Sequence, residues 1–272
     1  MNKIISFGKM KRKSKYYCCF LQQRLRPYVY RDGMYPNTFV NNHPIDTSAQ
    51  CVSAINKIIY CFWTGNNELT PNRLQGLRSL REKTGVQVQL ITPHNLAEYI
   101  LPDAPLHPAY DYLSLVHKSD YLRCYFMYHY GGGYSDVKAC FNSWDELFDM
   151  LSADHNGWIL GYPELHRDDI VSLPGSLGID LKNNFTRLIG NGAYICRPST
   201  PITREWYSEL IFRMDRSYDK LKQNVGNVWG DNLDYPLRWS EILGDIFHPL
   251  CLKYHQHLIP NAKIRPNLQN YR

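Results

Sequence analysis

Between Lys57 and Tyr162, short apolar runs alternate with helix-length amphipathic stretches, and this narrows the fold more than any other feature of the chain. Ile58-Ile59-Tyr60-Cys61-Phe62-Trp63 is a continuous apolar run ending at Thr64-Gly65, the pattern of a buried parallel strand. Pro71 to Lys83 places Leu74, Leu77 and Leu80 at helical spacing, opens on a proline suited to a first turn, and is stopped by Gly85. Val86 to Ile91 alternates as a second strand. Tyr112 to Tyr130 predicts a helix of about five turns, halted by Gly131-Gly132-Gly133. Tyr134 to Cys140 reads as a third strand and Gly157 to Tyr162 as a fourth. This order implies an α/β fold, a mostly parallel sheet with helices on both faces. Ligands of such sheets bind beyond the carboxyl ends of the strands, here Thr64-Gly65 and Asp136-Val137-Lys138.

Residues 1–56 read as a basic arm and an irregular lead-in, and 57–272 as the domain proper. Pro36 to Gln50 has the composition of a loop. The net charge of +6 belongs to the arm, where Lys3, Lys9, Lys11, Arg12, Lys13, Lys15, Arg24, Arg26 and Arg31 precede the first acid, Asp32. The remainder is close to neutral, which argues against a nucleic-acid partner. The arm instead suits an anionic membrane surface. Eight cysteines form no CxxC pair, and Cys61, Cys124 and Cys140 fall in apolar runs, so a reducing cytoplasm is expected. No run of 18 apolar residues is present, and Tyr16 to Leu21 is too short for a signal-peptide core. The 21 tyrosines suit a site for polar rings such as sugars and bases, and suit a tyrosine-rich genome equally well.

The chemistry concentrates in HKSDYLRCYFMYHYGGGYSDVK, residues 117–138. Asp120 and Arg123 share a helix face, whereas Lys118 lies elsewhere on the helix. The glycines permit a sharp turn and leave room for a ligand. Strand alternation would put Tyr134, Asp136 and Lys138 on one side, with Asp136 and Lys138 about 7 Å apart. Taken singly, a surface ion pair, a helix cap and a strand-end pair account for these features. Their order and spacing together point to a site.

Lys-Ser-Asp-x-x-Arg, an aromatic-rich helix, Tyr-Gly-Gly-Gly-Tyr and an aspartate strand together resemble glycosyltransferase family 32 and related capsular polysaccharide enzymes. Trp63 in the opening strand and Asn191-Gly192-Ala193 extend the resemblance over roughly Lys57 to Arg197. It implies a Rossmann-like GT-A fold and retaining transfer, a hexosyl transfer by expectation, from a nucleotide-sugar donor. Asp120 and Arg123 would contact that donor, and Asp136 would hold its sugar or ribose. Trp63, Thr64, Gly65, Gly132, Gly133, Tyr134, Asn191 and Gly192 would line the substrate site. The family pattern is Asp-x-Asp, whose second acid binds a divalent cation on the diphosphate; this chain has Asp136-Val137-Lys138. Lysine cannot ligate a metal, but its ammonium can neutralise phosphate. Asp136, Lys138 and Arg123 are therefore the expected catalytic set, with manganese or magnesium disfavoured as cofactor.

Farther along, Glu164 follows the fourth strand, as an acceptor-side acid or a plain loop carboxylate. Trp229-Gly230-Asp231-Asn232 offers an aromatic platform and polar groups to an acceptor, though Asp231 also suits a helix cap. His248, His255 and His257 lie where GT-A enzymes often place a histidine on the diphosphate or metal. The leading expectation is a cytoplasmic bacterial enzyme acting on a glycan or glycolipid acceptor of the capsule or lipopolysaccharide kind. The alternative is a catalytically inactive nucleotide-sugar or glycan-binding module.

Overall fold

The computed structural model describes residues 27–45 and 54–269. Along the chain run β1 (Ile58–Phe62), α1 (Pro71–Lys83), β2 (Gln87–Ile91), α2 (Leu115–His129), β3 (Gly132–Ser135) and α3 (Asp145–Ala153). They are followed by β4 (Ile159–Pro163), α4 (Gly175–Asn183), β5 (Ile189–Cys196), α5 (Pro201–Gln223), α6 (Gly244–Lys253) and β6 (Leu258–Pro260). The sheet order is β2-β1-β3-β5-β4-β6. Only β5 runs against the other five strands. The fold class is the α/β one implied by the alternating runs.

The pleat of the strands sorts two cores. Tyr60 and Phe62 of β1 join the layer under α2, α5 and α6, with Phe126, Trp206 and Phe247. Ile59 and Cys61 point to the other face, onto Leu77 and Leu80 of α1 and Leu147, Phe148 and Leu151 of α3. Burial of each such side chain contributes about 1.5 to 3 kcal/mol. The helices start where their caps allow. Thr70 accepts from Arg73 N ahead of Pro71, and Ser114 accepts from His117 N at 3.1 Å. That second cap explains why the long helix begins at Leu115 rather than Tyr112: Pro108–Tyr112 forms a separate 3-10 turn.

The third strand differs from its expected span. It covers Gly132–Ser135 and ends before Asp136, because α1 packs on the chain that follows. Arg73 donates Nη1 to Val137 O at 3.0 Å, and a Cβ on Gly76 would lie 3.0 Å from Lys138 Cα. The chain turns there, with Lys138 N bonded to Asp136 O at 2.6 Å. The glycines also serve differently. Gly131, at φ 61°, ends α2 by donating to Phe126 O, and Gly132 sits at φ 86° with no room for a Cβ, 2.8 Å from Ile58 O. Gly133 faces Ile59, Phe148 and Trp144. Gly132 and Gly133 therefore make sheet and helix packing at the amino end of β3, not ligand space.

Residues 27–45, within the expected lead-in, pack onto this body. Tyr30, Tyr35 and Val40 are buried. Lys253, itself buried, donates Nζ to Val40 O and His43 O and pairs with Glu205 at 2.9 Å. The basic cluster Lys3 to Arg26 lies outside the described residues. Among the described residues, no helix is long and apolar enough to cross a membrane.

Candidate functional site

Where β1, β3 and β4 end and β5 begins, the sheet presents a group of charges. Asp136 is held by its backbone, N–H to Gly192 O at 2.9 Å. Its Oδ1 accepts from Tyr134 Oη at 2.6 Å, and its Oδ2 accepts from Lys138 Nζ at 2.7 Å. Arg123 places Nη2 3.4 Å from Asp136 Oδ1 and 3.4 Å from Asp120 Oδ1, and donates Nη1 to Asn191 O at 3.1 Å. Its guanidinium lies 4.6 Å from the Tyr134 ring centroid, and that ring stacks on Phe62. Across the turn after β3, the Lys138 ammonium meets the Asp136 carboxylate directly.

The electrostatics follow from burial and pairing. Burial alone would raise the Asp136 carboxyl, but Arg123 and Lys138 beside it more than offset that and hold it below its ordinary value. Asp120, 3% exposed, is raised by burial, with Arg123 only partly countering. Burial works against the Arg123 charge, yet Tyr134, Asp120 and Asp136 keep it firmly protonated. Two carboxylates face two cations, so the quartet carries no net charge when all four are ionised.

A divalent cation does not fit this arrangement. Both Asp136 oxygens already serve Tyr134, Arg123 and Lys138, and an ammonium stands where a second carboxylate would be needed. Among the described residues no three histidine, cysteine or acidic side chains converge to hold a metal.

The corner Trp63-Thr64-Gly65 borders the same end of the sheet. Thr64 Oγ1 donates to Leu115 O at 2.6 Å in the first turn of α2, and Trp63 Nε1 donates to Asn67 O. The segment carrying Asp231 docks on that turn too, with Leu115 N on Asn227 O and Val116 N on Val228 O. Asp231 accepts from Asn227 Nδ2 at 2.7 Å and braces its own loop rather than capping a helix. Beside it Trp229 and Trp239 stack, 47% and 60% exposed. His117, which the sequence did not single out, bonds Tyr235 Oη at 2.8 Å and Trp239 O at 3.3 Å.

Glu164 lies just past β4, 7% exposed, and burial with Asp169 nearby pushes its carboxyl up to about 8 against the opposing pull of Arg265. His248 reaches it from α6, Nε2 3.9 Å from Oε1, and burial pushes its imidazole down to about 4. The other two histidines are corrected by the topology. His257 stacks on Trp158 and bonds Asn156 O, and His255 bonds Leu252 O, before the amino ends of β4 and β6. That is the far end of the sheet from Asp136, so neither reaches a diphosphate held there. Tyr162 and Arg265 were also missed. Tyr162 Oη accepts from Gly192 N at 3.1 Å, and Arg265 lies 5.8 Å from the Tyr162 ring.

Residues 45–149 match the family model described as a glycosyltransferase sugar-binding region containing DXD motif. The chain resembles the DXD glycosyltransferases. The match includes Asp120, Arg123, Asp136 and Lys138, so these four residues lie in the segment that resembles a glycosyltransferase sugar-binding region. One similar solved structure is titled PaToxG Glycosyltransferase, at 12% identity and a TM-score of 0.37, covering 63% of this chain. The chain spans 66% of the length of that structure. No curated protein sequence matches the chain.

Proposed function

We propose that the protein transfers a sugar, a hexose by the family pattern, from a nucleotide-sugar donor to a glycan or glycolipid. The observation that carries this is the quartet Asp120, Arg123, Asp136 and Lys138, buried or half-buried at the carboxyl end of the sheet and inside the matched segment. Asp136 takes donor hydroxyls, and Asp120 and Arg123 fix the donor's orientation. Two buried polar atoms there, Arg123 Nε and Asn191 Oδ1, have no hydrogen-bond partner in the protein. Such atoms cost about 1 to 3 kcal/mol each until a ligand pairs them.

Charge develops on the leaving diphosphate as the glycosidic bond breaks, and fixed cations stabilise it at no reorganisation cost. Lys138 and Arg123 serve in that role, so the reaction proceeds without manganese or magnesium. Transfer with retention needs no separate base, in keeping with a quartet that offers none. The acceptor is a bacterial surface glycan of the capsule or lipopolysaccharide kind, met in the cytoplasm at the inner membrane face. Trp229 and Trp239 offer its rings a stacking platform, and the basic arm supplies the attraction to anionic lipid.

A second reading, a binding module without turnover, draws on the engagement of both Asp136 oxygens. A panel of nucleotide-sugars screened by thermal shift and by nucleoside diphosphate release separates the two. Transfer predicts stabilisation and release with one donor, whereas stabilisation without release favours the module, and neither response with any donor refutes both.

A further inference from the structure

Asp120 and Asp136 balance Arg123 and Lys138, so the quartet by itself only partly neutralises a donor diphosphate, and a further cation would complete the site. Arg73 stands near the turn, but its guanidinium holds Val137 O and supports the backbone there. The C-terminal segment after β6 supplies a better placed cation. Asn267 N bonds Ala139 O at 2.8 Å, next to Lys138, and Asn142 Nδ2 bonds Lys263 O. A Cβ on Gly192 would lie 3.7 Å from Pro266 Cγ and 3.4 Å from Asp136 Oδ2, so the segment lies alongside the carboxylate. Between these two anchor points is Arg265, its guanidinium 5.8 Å from the Tyr162 ring. Tyr162 Oη in turn takes the N–H of Gly192, the residue whose carbonyl holds Asp136.

We infer that Arg265 is a diphosphate-binding residue, the cation that joins Lys138 on the leaving group in place of a metal. This rests on the proposed transferase reading of the same site. Among the described residues, no carboxylate lies within ion-pair distance of Arg265. Glu164 acts on Arg265 at longer range, and burial with Asp169 nearby raises its carboxyl, which weakens its hold on the Arg265 charge. A guanidinium presents a planar fork of donors suited to two phosphate oxygens at once. The Tyr162 ring beneath it limits the directions in which that fork can swing.

Inorganic pyrophosphate is the probe, titrated by calorimetry against the full chain in EDTA. Wild type binds it, and Arg265→Gln weakens binding by about tenfold or more, the loss of a charge-assisted contact. Arg265→Lys recovers part of the affinity because charge is restored, and thermal melting is unchanged in both. Arg265→Met keeps an apolar stem over Tyr162 and serves if the glutamine variant melts early; it shows the same loss. If Arg265→Gln and Arg265→Met bind like wild type while Lys138→Ala loses affinity, the Arg265 assignment is overturned and the site reading stands. If wild type does not bind pyrophosphate in EDTA, the metal-free diphosphate site falls, and Arg265 with it.

Discussion

Replacing Glu164 with glutamine should stabilise the protein at alkaline pH and leave it nearly unchanged near pH 4. The folded environment raises this carboxyl from an ordinary 4.5 to about 8, first through burial and then through Asp169. As pH rises past 4.5 the unfolded chain releases this proton while the folded chain keeps it. Stability therefore falls by about 1.4 kcal/mol per pH unit across that window and is flat beyond it. The full loss is about 5 kcal/mol, a large share of the 5 to 15 kcal/mol typical of a domain. Glutamine keeps the shape and never ionises, and its side-chain oxygen can accept from His248 Nε2, 3.9 Å from the wild-type oxygen, because Val171 N–H already donates to Nδ1. His248 acts at the other end of the scale. Its lowered value removes stability as pH falls from 6.5 toward about 4, in both proteins alike. Urea unfolding of wild type and Glu164→Gln from pH 4 to pH 9 should give curves that nearly coincide at pH 4, separate up to about pH 8 and run parallel above it. Curves that stay parallel across the range would refute the argument that Glu164 is protonated by its surroundings.

Three other outcomes follow from the same contacts. Asp136→Asn should keep the fold yet lower transfer to below about a tenth of wild type, a loss above ~1.4 kcal/mol in the transition state; a single-donor rate assay with a melting curve decides it. Gly132→Ala should destabilise by about 2 to 4 kcal/mol, since the backbone is at φ 86° and a Cβ would meet Ile58 O, and urea unfolding reads it directly. Deleting residues 3 to 15 should reduce binding to vesicles containing phosphatidylserine without affecting transfer to a soluble acceptor; equal vesicle binding would remove the arm from the account.

Local signals were enough for much of the fold. The span Pro71–Lys83 could be read directly because Pro71 and Gly85 mark its ends. Asp120 and Arg123 could be placed on one face because helical spacing alone puts them there. The turn at Asp136 to Lys138 could not, since it depends on Arg73 and Gly76, more than sixty residues away in sequence. The same holds for Gly131 to Gly133, whose need for space is set by Ile58, Phe148 and Pro198. His255 and His257 were misread because nearness to the C-terminus does not say which end of the sheet a residue reaches. Arg265 carried no signal at all, as its position depends on the pairing of Asn267 with Ala139.

The central claim is that protein cations, Lys138 foremost, do the work of a metal at a sugar-transfer site. The direct measurement is release of nucleoside diphosphate from the donor that stabilises the protein most, with EDTA and then with excess manganese. The account predicts equal rates in both for wild type and a rate at least about tenfold lower for Lys138→Ala, the cost of one lost cation at the leaving group. Wild-type activity abolished by EDTA and restored by manganese would contradict it, because Asp136 would then be serving a metal and not the lysine.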